Sequence, residues 1–358
     1  MNTGGAQSIV REYARLIDYS QFTMTVVTIY PAESGANMEI LETTECGRDA
    51  IYKRHNLASK LHFRFCSVKS KSMLLLSVIK KRKTQVIHVH TGMLKYLLPI
   101  RKELSGVKLL YTCHSIPSRY FTGSNADEME AAKILVKEND LQLIALHNEM
   151  RLELNKMFGV SNTVVIHNGI DFGLYRNLRE SKAEIRRSIG VPGGKFLIGH
   201  IGRFSPEKNH SFLIKIFAEL VKLRPESHLL LVGQGVLKEE VMKQIETLGL
   251  SRKVTHLQNR ADIPRLICSM DVFVFPSIYE GLPVSVVEAQ VAGIRCVASD
   301  RVTDECFFLP SVVVKSIDDT ALSWAEVIAD ENVVGNYKKD ISEFDMRKEI
   351  KKIEQLYK

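Results

Sequence analysis

Two glutamates, Glu280 and Glu288, bracket the segment Gly281-Leu282-Pro283-Val284-Ser285-Val286-Val287. The preceding run, Asp271-Val-Phe-Val-Phe-Pro276, reads as a buried parallel strand. Pro283 fits the first position of a helix, and Val284, Val287 and Val291 mark its inward face. Glu280 is then expected at the carboxyl end of a strand, where open α/β sheets bind ligands. The backbone N–H groups of residues 283–286 are expected to form an anion site at the helix start. Glu288 sits just over a turn later, beside the apolar stripe. An acid, an amide nest and a second acid in a row suit a ligand with phosphate between hydroxyl-bearing ends, which is the outline of a sugar nucleotide.

A second segment, Ile198-Gly-His-Ile-Gly202-Arg203-Phe-Ser205-Pro206-Glu207-Lys208, carries the complementary charge. The strand is expected to end at Gly202, with Ser205 as N-cap and Pro206 as the first helical residue. Lys208 then falls in a first helical turn, where the helix dipole opposes a cation unless an anion is bound. Arg203 reaches the same point with a planar fork suited to phosphate oxygens. The competing reading is a pair of surface cations, with Lys208 neutralised by Glu207 or another acid. The presence of the Glu280 segment in the same half of the chain favours a diphosphate clamp.

Other candidates are weaker alone. Thr3-Gly4-Gly5-Ala6 precedes an amphipathic helix, and its bare backbone could approach a phosphate, although a plain turn fits as well. His114 ends the apolar run Tyr111-Thr-Cys113 and could hydrogen-bond a hydroxyl or move a proton. His88 and His90 alternate with Ile87 and Val89 and read as core or cleft-edge residues. Asn168-Gly169-Ile170-Asp171 reads as a turn, and Asn259-Arg260 and Ile278-Tyr279 flank ligand loops.

These residues need a scaffold of alternating strands and helices, which predicts parallel sheets covered on both faces. Strands are expected at Thr23–Tyr30, Leu61–Ser67, Gln85–His90, Val107–Cys113, Leu141–Leu146 and Thr163–His167, and then at Lys195–Gly202, Ser227–Val232, Lys253–Leu257, Asp271–Phe275 and Arg295–Ala298. Helices are expected at Ser8–Ile17, Ser70–Lys81, Ala126–Glu138, Asn209–Leu223, Val236–Leu248 and Pro283–Ala292. The turn at 168–171 divides two α/β units, 1–168 and 169–340. The tail 341–358 carries a charged amphipathic helix, Phe344–Tyr357.

The 358 residues are 45% apolar and 25% charged, the composition of an ordinary globular chain. No apolar run reaches the roughly 20 residues of a membrane span, and no signal peptide is expected at the start. The six cysteines show no CxxC pair, which predicts buried free thiols in a reducing compartment. The net charge of +8 is concentrated early: residues 48–108 hold 15 Lys and Arg against Asp49 and Glu103 alone. Nucleic acid is disfavoured because neither interleaved aromatics nor a recognition motif accompanies the charge. An anionic membrane surface suits it better, with a solvated basic face as the plain alternative.

Arg203-x4-Lys208 followed by Glu280-x7-Glu288, with the Gly4-Gly5 loop in front and Asn168-Gly-Ile-Asp171 between, resembles the retaining glycosyltransferases of family 4, and most of all bacterial capsular, exopolysaccharide and O-antigen enzymes. The resemblance implies the GT-B fold: two Rossmann-like domains, with a C-terminal helix crossing back to the N-terminal domain. It implies that Arg203 and Lys208 neutralise the departing nucleotide diphosphate and that Glu280 holds donor-sugar hydroxyls. Gly281 and the backbone of Leu282, Pro283, Val284 and Ser285 would face phosphate, Glu288 the ribose and His114 the sugar. Gly4, Gly5, Gly202 and Arg260 would border the donor. It implies no metal and no cofactor besides the nucleotide-sugar donor, and agrees with the lack of an Asp-x-Asp motif.

Such proteins have a strand before the Gly-Gly loop, whereas here the loop begins at residue three, so that first N-terminal strand is expected to be missing. Either Met1 is an internal methionine of a longer protein, the favoured expectation, or the N-terminal sheet is defective. The function expected is transfer from a nucleotide-diphosphate sugar, UDP foremost, to a lipid-linked saccharide at the cytoplasmic face of the cell membrane. The rivals are a non-hydrolysing sugar-nucleotide epimerase and a catalytically silent binding protein on the same fold.

Overall fold

The computed structural model describes residues 5–29, 44–51 and 65–358. The chain divides into two compact units, residues 1–169 with 346–358, and residues 170–345. Gly4, Tyr30 and the Leu61–Arg64 part of an expected strand lie outside the described residues, as does the strand expected before residue 1.

In the first unit, β3 (Val86–Val89), β4 (Lys108–Thr112), β5 (Gln142–Ala145) and β6 (Val164–Val165) form a parallel sheet in that order. Leu109, Leu110 and Tyr111 of β4 are buried, as expected of an inner strand covered on both faces. β1 (Thr25–Thr28) and β2 (Gly47–Ala50) pair with each other and with no other described strand. β2 is absent from the sequence expectations, because Gly-Arg-Asp-Ala carries no strand pattern. Conversely, Phe65–Ser67 is not a strand: Ser67 caps a helix at Val68–Lys81, its side chain accepting from Ser70 N–H at 3.2 Å.

The helix Gly5–Leu16 buries Ile9 and Tyr13, with Ile17 just beyond its end, against Leu110, Ile144 and Ile166 of the sheet. Met346, Ile350 and Ile353 of the tail helix, Met346–Tyr357, join the same core. The apolar spacing of that helix produces this face. Its acids are also fixed: Glu349 accepts from His167 N–H at 2.8 Å and Glu354 from Asp18 N–H at 2.8 Å. Gly169 lies where a Cβ would stand 2.6 Å from Met346 Cα, so only glycine fits there.

The second unit is a six-stranded parallel sheet in the order β12 (Val312–Lys315), β11 (Arg295–Ser299), β10 (Val272–Phe275), β7 (Phe196–Ile201), β8 (Ser227–Val232) and β9 (Val254–Leu257). The central strands β7 and β10 are almost wholly apolar and buried. Helix His210–Leu223 packs Leu213, Phe217 and Leu220 against this sheet and against Trp324 of helix Ala321–Ala329. β12 and the Ala321–Ala329 helix are additions to the expected elements. Phe344, expected in the tail helix, instead ends a short 3-10 turn and stacks edge-on to Phe308 within this unit.

Of the six cysteines, Cys46, Cys113, Cys296 and Cys306 are buried, Cys66 and Cys268 are half-buried, and all are free. Among the described residues, no helix is long and apolar enough to cross a membrane.

Candidate donor site

β7 and β10 are neighbours running parallel, so the loops after both emerge at one edge of the second unit. Ile278 N–H donates to Glu207 C=O at 2.8 Å and ties these loops together. That register brings together the charges anticipated from the two motifs: Lys208 Nζ stands 2.7 Å from Glu280 Oε1. The ammonium also lies 4.8 Å from the Phe275 ring centroid, over its π face. The pair is mostly buried, with side-chain exposures of 16% and 12%. Lys208 is thus neutralised by the more distant acid rather than by Glu207, whose carboxylate accepts from Ser205 Oγ at 2.5 Å. Arg203 is exposed and has no carboxylate partner among the described residues.

Local geometry departs from expectation at both helix starts. Ser205 precedes a 3-10 turn, Pro206–Lys208, without capping it through its side chain, and Asn209 adopts a left-handed conformation at φ 54°. The α-helix begins at His210, so Lys208 sits before its first turn rather than in it. Pro283 has ψ 92°, outside the helical region, and acts as N-cap of the helix Val284–Val291. Being a proline it has no N–H, and Val286 N–H is bound to Pro283 C=O at 3.1 Å. The amides of Val284 and Ser285 are those left at the helix start. Of the expected inward face, Val287 and Val291 are buried, joined by Val286, while Val284 is half-exposed.

Glu288 Oε1 accepts from the hydroxyl of Tyr175 at 2.6 Å. Arg260 is held in a fork by Asp262, with Nε to Oδ1 at 2.7 Å and Nη2 to Oδ2 at 2.6 Å. Gly202 is crowded: an added Cβ would lie 2.9 Å from His200 Nε2 and 3.3 Å from Lys208 Cδ.

Two glycines not singled out from the sequence shape the same loops. A Cβ at Gly233, which has φ 147°, would lie 2.0 Å from Gly202 C=O oxygen. One at Gly235 would lie 2.3 Å from that of Phe204. Phe204 N–H to Gln234 C=O at 3.0 Å and Leu237 N–H to Phe204 C=O at 3.1 Å lock these strand-end loops together. Gly-Gln-Gly after a strand was the available signal. Beneath them His200 donates through Nδ1 to Val274 C=O at 2.9 Å, and His210 stacks on Phe204. Burial, with the positive charge of Lys208 adding to it, lowers the His210 pKa to about 4.

In the first unit, Gly5 opens the helix Gly5–Leu16. His114, just beyond β4, has Nε2 3.0 Å from His90 Nδ1, and its own Nδ1 is buried without a hydrogen-bond partner among the described residues. Burial lowers its pKa to about 4, so the ring is neutral near pH 7. His88 bridges Tyr357 Oη at 2.9 Å and Thr112 Oγ1 at 2.7 Å. Burial, reinforced by His114, lowers its pKa to about 3.

Asn168 and Asp171 are buried, and Asp171 Oδ1 accepts from Gly173 N–H at 3.0 Å, as in a local turn. The basic run Lys80–Lys83 ends the Val68–Lys81 helix; Lys81 and Arg82 both pair with Asp49, while Lys80 and Lys83 are exposed.

Comparison with known proteins covers both units. The model for Glycosyltransferase Family 4 matches residues 3–173, and that for Glycosyl transferases group 1 matches residues 181–306. EpsF of Bacillus subtilis strain 168, named as a glycosyltransferase, is 29% identical over 350 residues, spanning 95% of this chain and 88% of EpsF. The UDP-Gal:alpha-D-GlcNAc-diphosphoundecaprenol alpha-1,3-galactosyltransferase of Escherichia coli is 26% identical over 302 residues, 79% of this chain and 77% of that protein. Among solved structures, HepE of Anabaena in complex with UDP-glucose shares the fold, with a TM-score of 0.77 at 22% identity over 99% of this chain and 95% of its own.

Proposed function

Because the chain belongs to the GT-B glycosyltransferases of the family 4 type, we propose that it moves a sugar from a UDP-sugar to a lipid-linked saccharide with retention of anomeric configuration, in cell-surface polysaccharide assembly. The observation that carries this reading is the Lys208–Glu280 pair at the carboxyl edge of the second unit's sheet. It puts a cation for a leaving diphosphate beside an acid for sugar hydroxyls. The E. coli relative, named for a UDP-galactose donor and a diphosphoundecaprenol acceptor, supports the choice of both substrates.

In the reaction the bond between the anomeric carbon and the β-phosphate oxygen breaks, and the acceptor oxygen takes its place on the same face. The acceptor proton passes to the departing phosphate, so no protein base is required. Negative charge grows on the diphosphate, and Lys208, Arg203 and the amides of Val284 and Ser285 stabilise it there, the contribution that usually dominates such catalysis. Glu280 orients sugar hydroxyls and Glu288 the ribose. His114, neutral near pH 7, would offer its ring to a hydroxyl of substrate bound at the first unit. No metal is required in this scheme.

Peripheral attachment to the inner face of the membrane is supported by the basic surplus of residues 48–108 and by exposed Phe65 and Met73 beside it. Co-sedimentation with vesicles containing anionic lipid, reduced on substituting Lys80–Lys83, is the expected result. Unchanged binding would count against this attachment.

The deciding experiment measures donor turnover with and without a diphosphoundecaprenol-linked saccharide. Transfer that needs the acceptor supports the reading. Interconversion of free donor would indicate an epimerase, and no turnover a silent binding protein. Undiminished transfer by Glu280→Ala would falsify the site assignment.

A further inference from the structure

The turn at residues 168–171 has no role in donor chemistry by itself, yet the short helix after it, Gly173–Arg176, reaches the site. Asp171, itself buried, accepts from Gly173 N–H and holds the start of that helix. Gly173 is tightly seated: a Cβ there would lie 3.2 Å from Asp171 Oδ1. The helix carries Tyr175, which is 7% exposed and whose hydroxyl donates to Glu288 Oε1 at 2.6 Å. The tyrosine carbonyl accepts from Cys268 Sγ at 3.5 Å, which anchors the helix on its other side.

We propose that Tyr175 is a positioning residue for the donor: its hydroxyl holds one oxygen of Glu288 and so aims the other at the ribose diol of the nucleotide. This rests on the ribose role given to Glu288. A short O–H···O⁻ bond to a carboxylate is among the stronger neutral-to-charged contacts and restricts carboxylate rotation. A rigid tyrosine on an anchored turn fixes that acid from behind, whereas a long glutamate side chain alone would sample several rotamers. The Asn168-Gly-Ile-Asp171 segment thereby acquires a function through Asp171: it seats the tyrosine that aims the glutamate.

The test is calorimetric titration with UDP, GDP and ADP, repeated with the 2′-deoxy form of whichever binds most tightly. Tyr175→Phe keeps the ring and removes the hydroxyl. It is expected to weaken the ribonucleotide roughly fivefold to tenfold, less than the direct loss of a hydrogen bond to a charged group because Glu288 itself is kept. The 2′-deoxy form should be weakened less, so discrimination between the two shrinks. In turnover the donor KM should rise with kcat nearly kept. Glu288→Gln is measured alongside, and combining it with Tyr175→Phe should add little further loss. Tyr175→His, which can still donate, should recover part of the affinity.

If Glu288→Gln lowers discrimination but Tyr175→Phe leaves it unchanged, the positioning role is wrong and the donor site stands. If Glu288→Gln itself leaves ribose discrimination unchanged, or no nucleotide binds, the donor reading falls and this inference falls with it. A uniform loss of stability in Tyr175→Phe with unchanged ribose discrimination also overturns the proposal.

Discussion

Lys208 Nζ and Glu280 Oε1, separated by 2.7 Å, neutralise each other. On the proposed function, a diphosphate entering the site would compete with Glu280 for that ammonium. Glu280→Ala should therefore abolish most sugar transfer while leaving UDP affinity equal to or tighter than that of the unaltered chain. Lys208→Met should weaken UDP and slow transfer by about 10²- to 10³-fold, the range for losing one preorganised group that stabilises transition-state charge. Separate measurement of UDP affinity and transfer rate checks both signs. Weaker UDP binding in Glu280→Ala would refute the competition.

Gly235 faces the Phe204 carbonyl so closely that Gly235→Ala must move backbone rather than a side chain. The expected cost is more than about 2 kcal/mol, read as a lower urea midpoint, with nucleotide binding lost as well. Gly193→Ala is the control. Among the described residues nothing lies within 4 Å of a Cβ there, so its effect should stay within about 0.5 kcal/mol.

His114 and His88 give stability a defined pH dependence. Their folded pKa values, lowered to about 4 and about 3, lie below the 6.5 of an unfolded histidine. Below pH 6.5 the unfolded chain takes up protons that the folded chain refuses. The stability that depends on these neutral rings is complete above pH 6.5 and declines as pH falls toward 4 and then 3. Urea midpoints should fall across that interval. His88→Gln, which removes one titrating ring, should make the decline shallower.

Transfer is expected to survive chelation. Full activity in excess EDTA is the predicted result of an assay in chelator-treated buffer. Restoration by added Mg²⁺ or Mn²⁺ after a loss would refute it.

The sequence was most legible where local pattern and tertiary context agree. Ser227–Val232 is the strand expected to the residue, because an apolar run bounded by Pro225 and Gly233 can be little else. The His210–Leu223 helix and the β7 and β10 strands were legible for the same reason. The pairing of Lys208 with Glu280 was within reach only as an unspecified acid, since 72 residues separate them. Tyr175 was out of reach: its partner Glu288 is 113 residues away, and a lone tyrosine after a turn carries no signal. One helix start slipped because Pro283 marked the region correctly but serves as cap rather than first residue; Pro206 does open a helical turn, but a 3-10 one that stops at left-handed Asn209 before the α-helix begins. β2 was invisible because Gly-Arg-Asp-Ala is held by its partner Thr25–Thr28, not by its own propensity.

Ile170 N–H donates to Phe344 C=O at 2.7 Å, and Ile170 bridges Asp345 in parallel, so the two ends of the second unit are stitched together. Residues 170–345 thus form one uninterrupted cassette with adjoining ends, set into a host made of the segments before and after it. Units of that kind tolerate transplantation, because both junctions can be cut and rejoined at a single point. If this unit holds the donor as proposed, exchanging it between relatives at Gly169/Ile170 and Asp345/Met346 would change the donor recognised while the host is kept, provided the glycine against Met346 is retained.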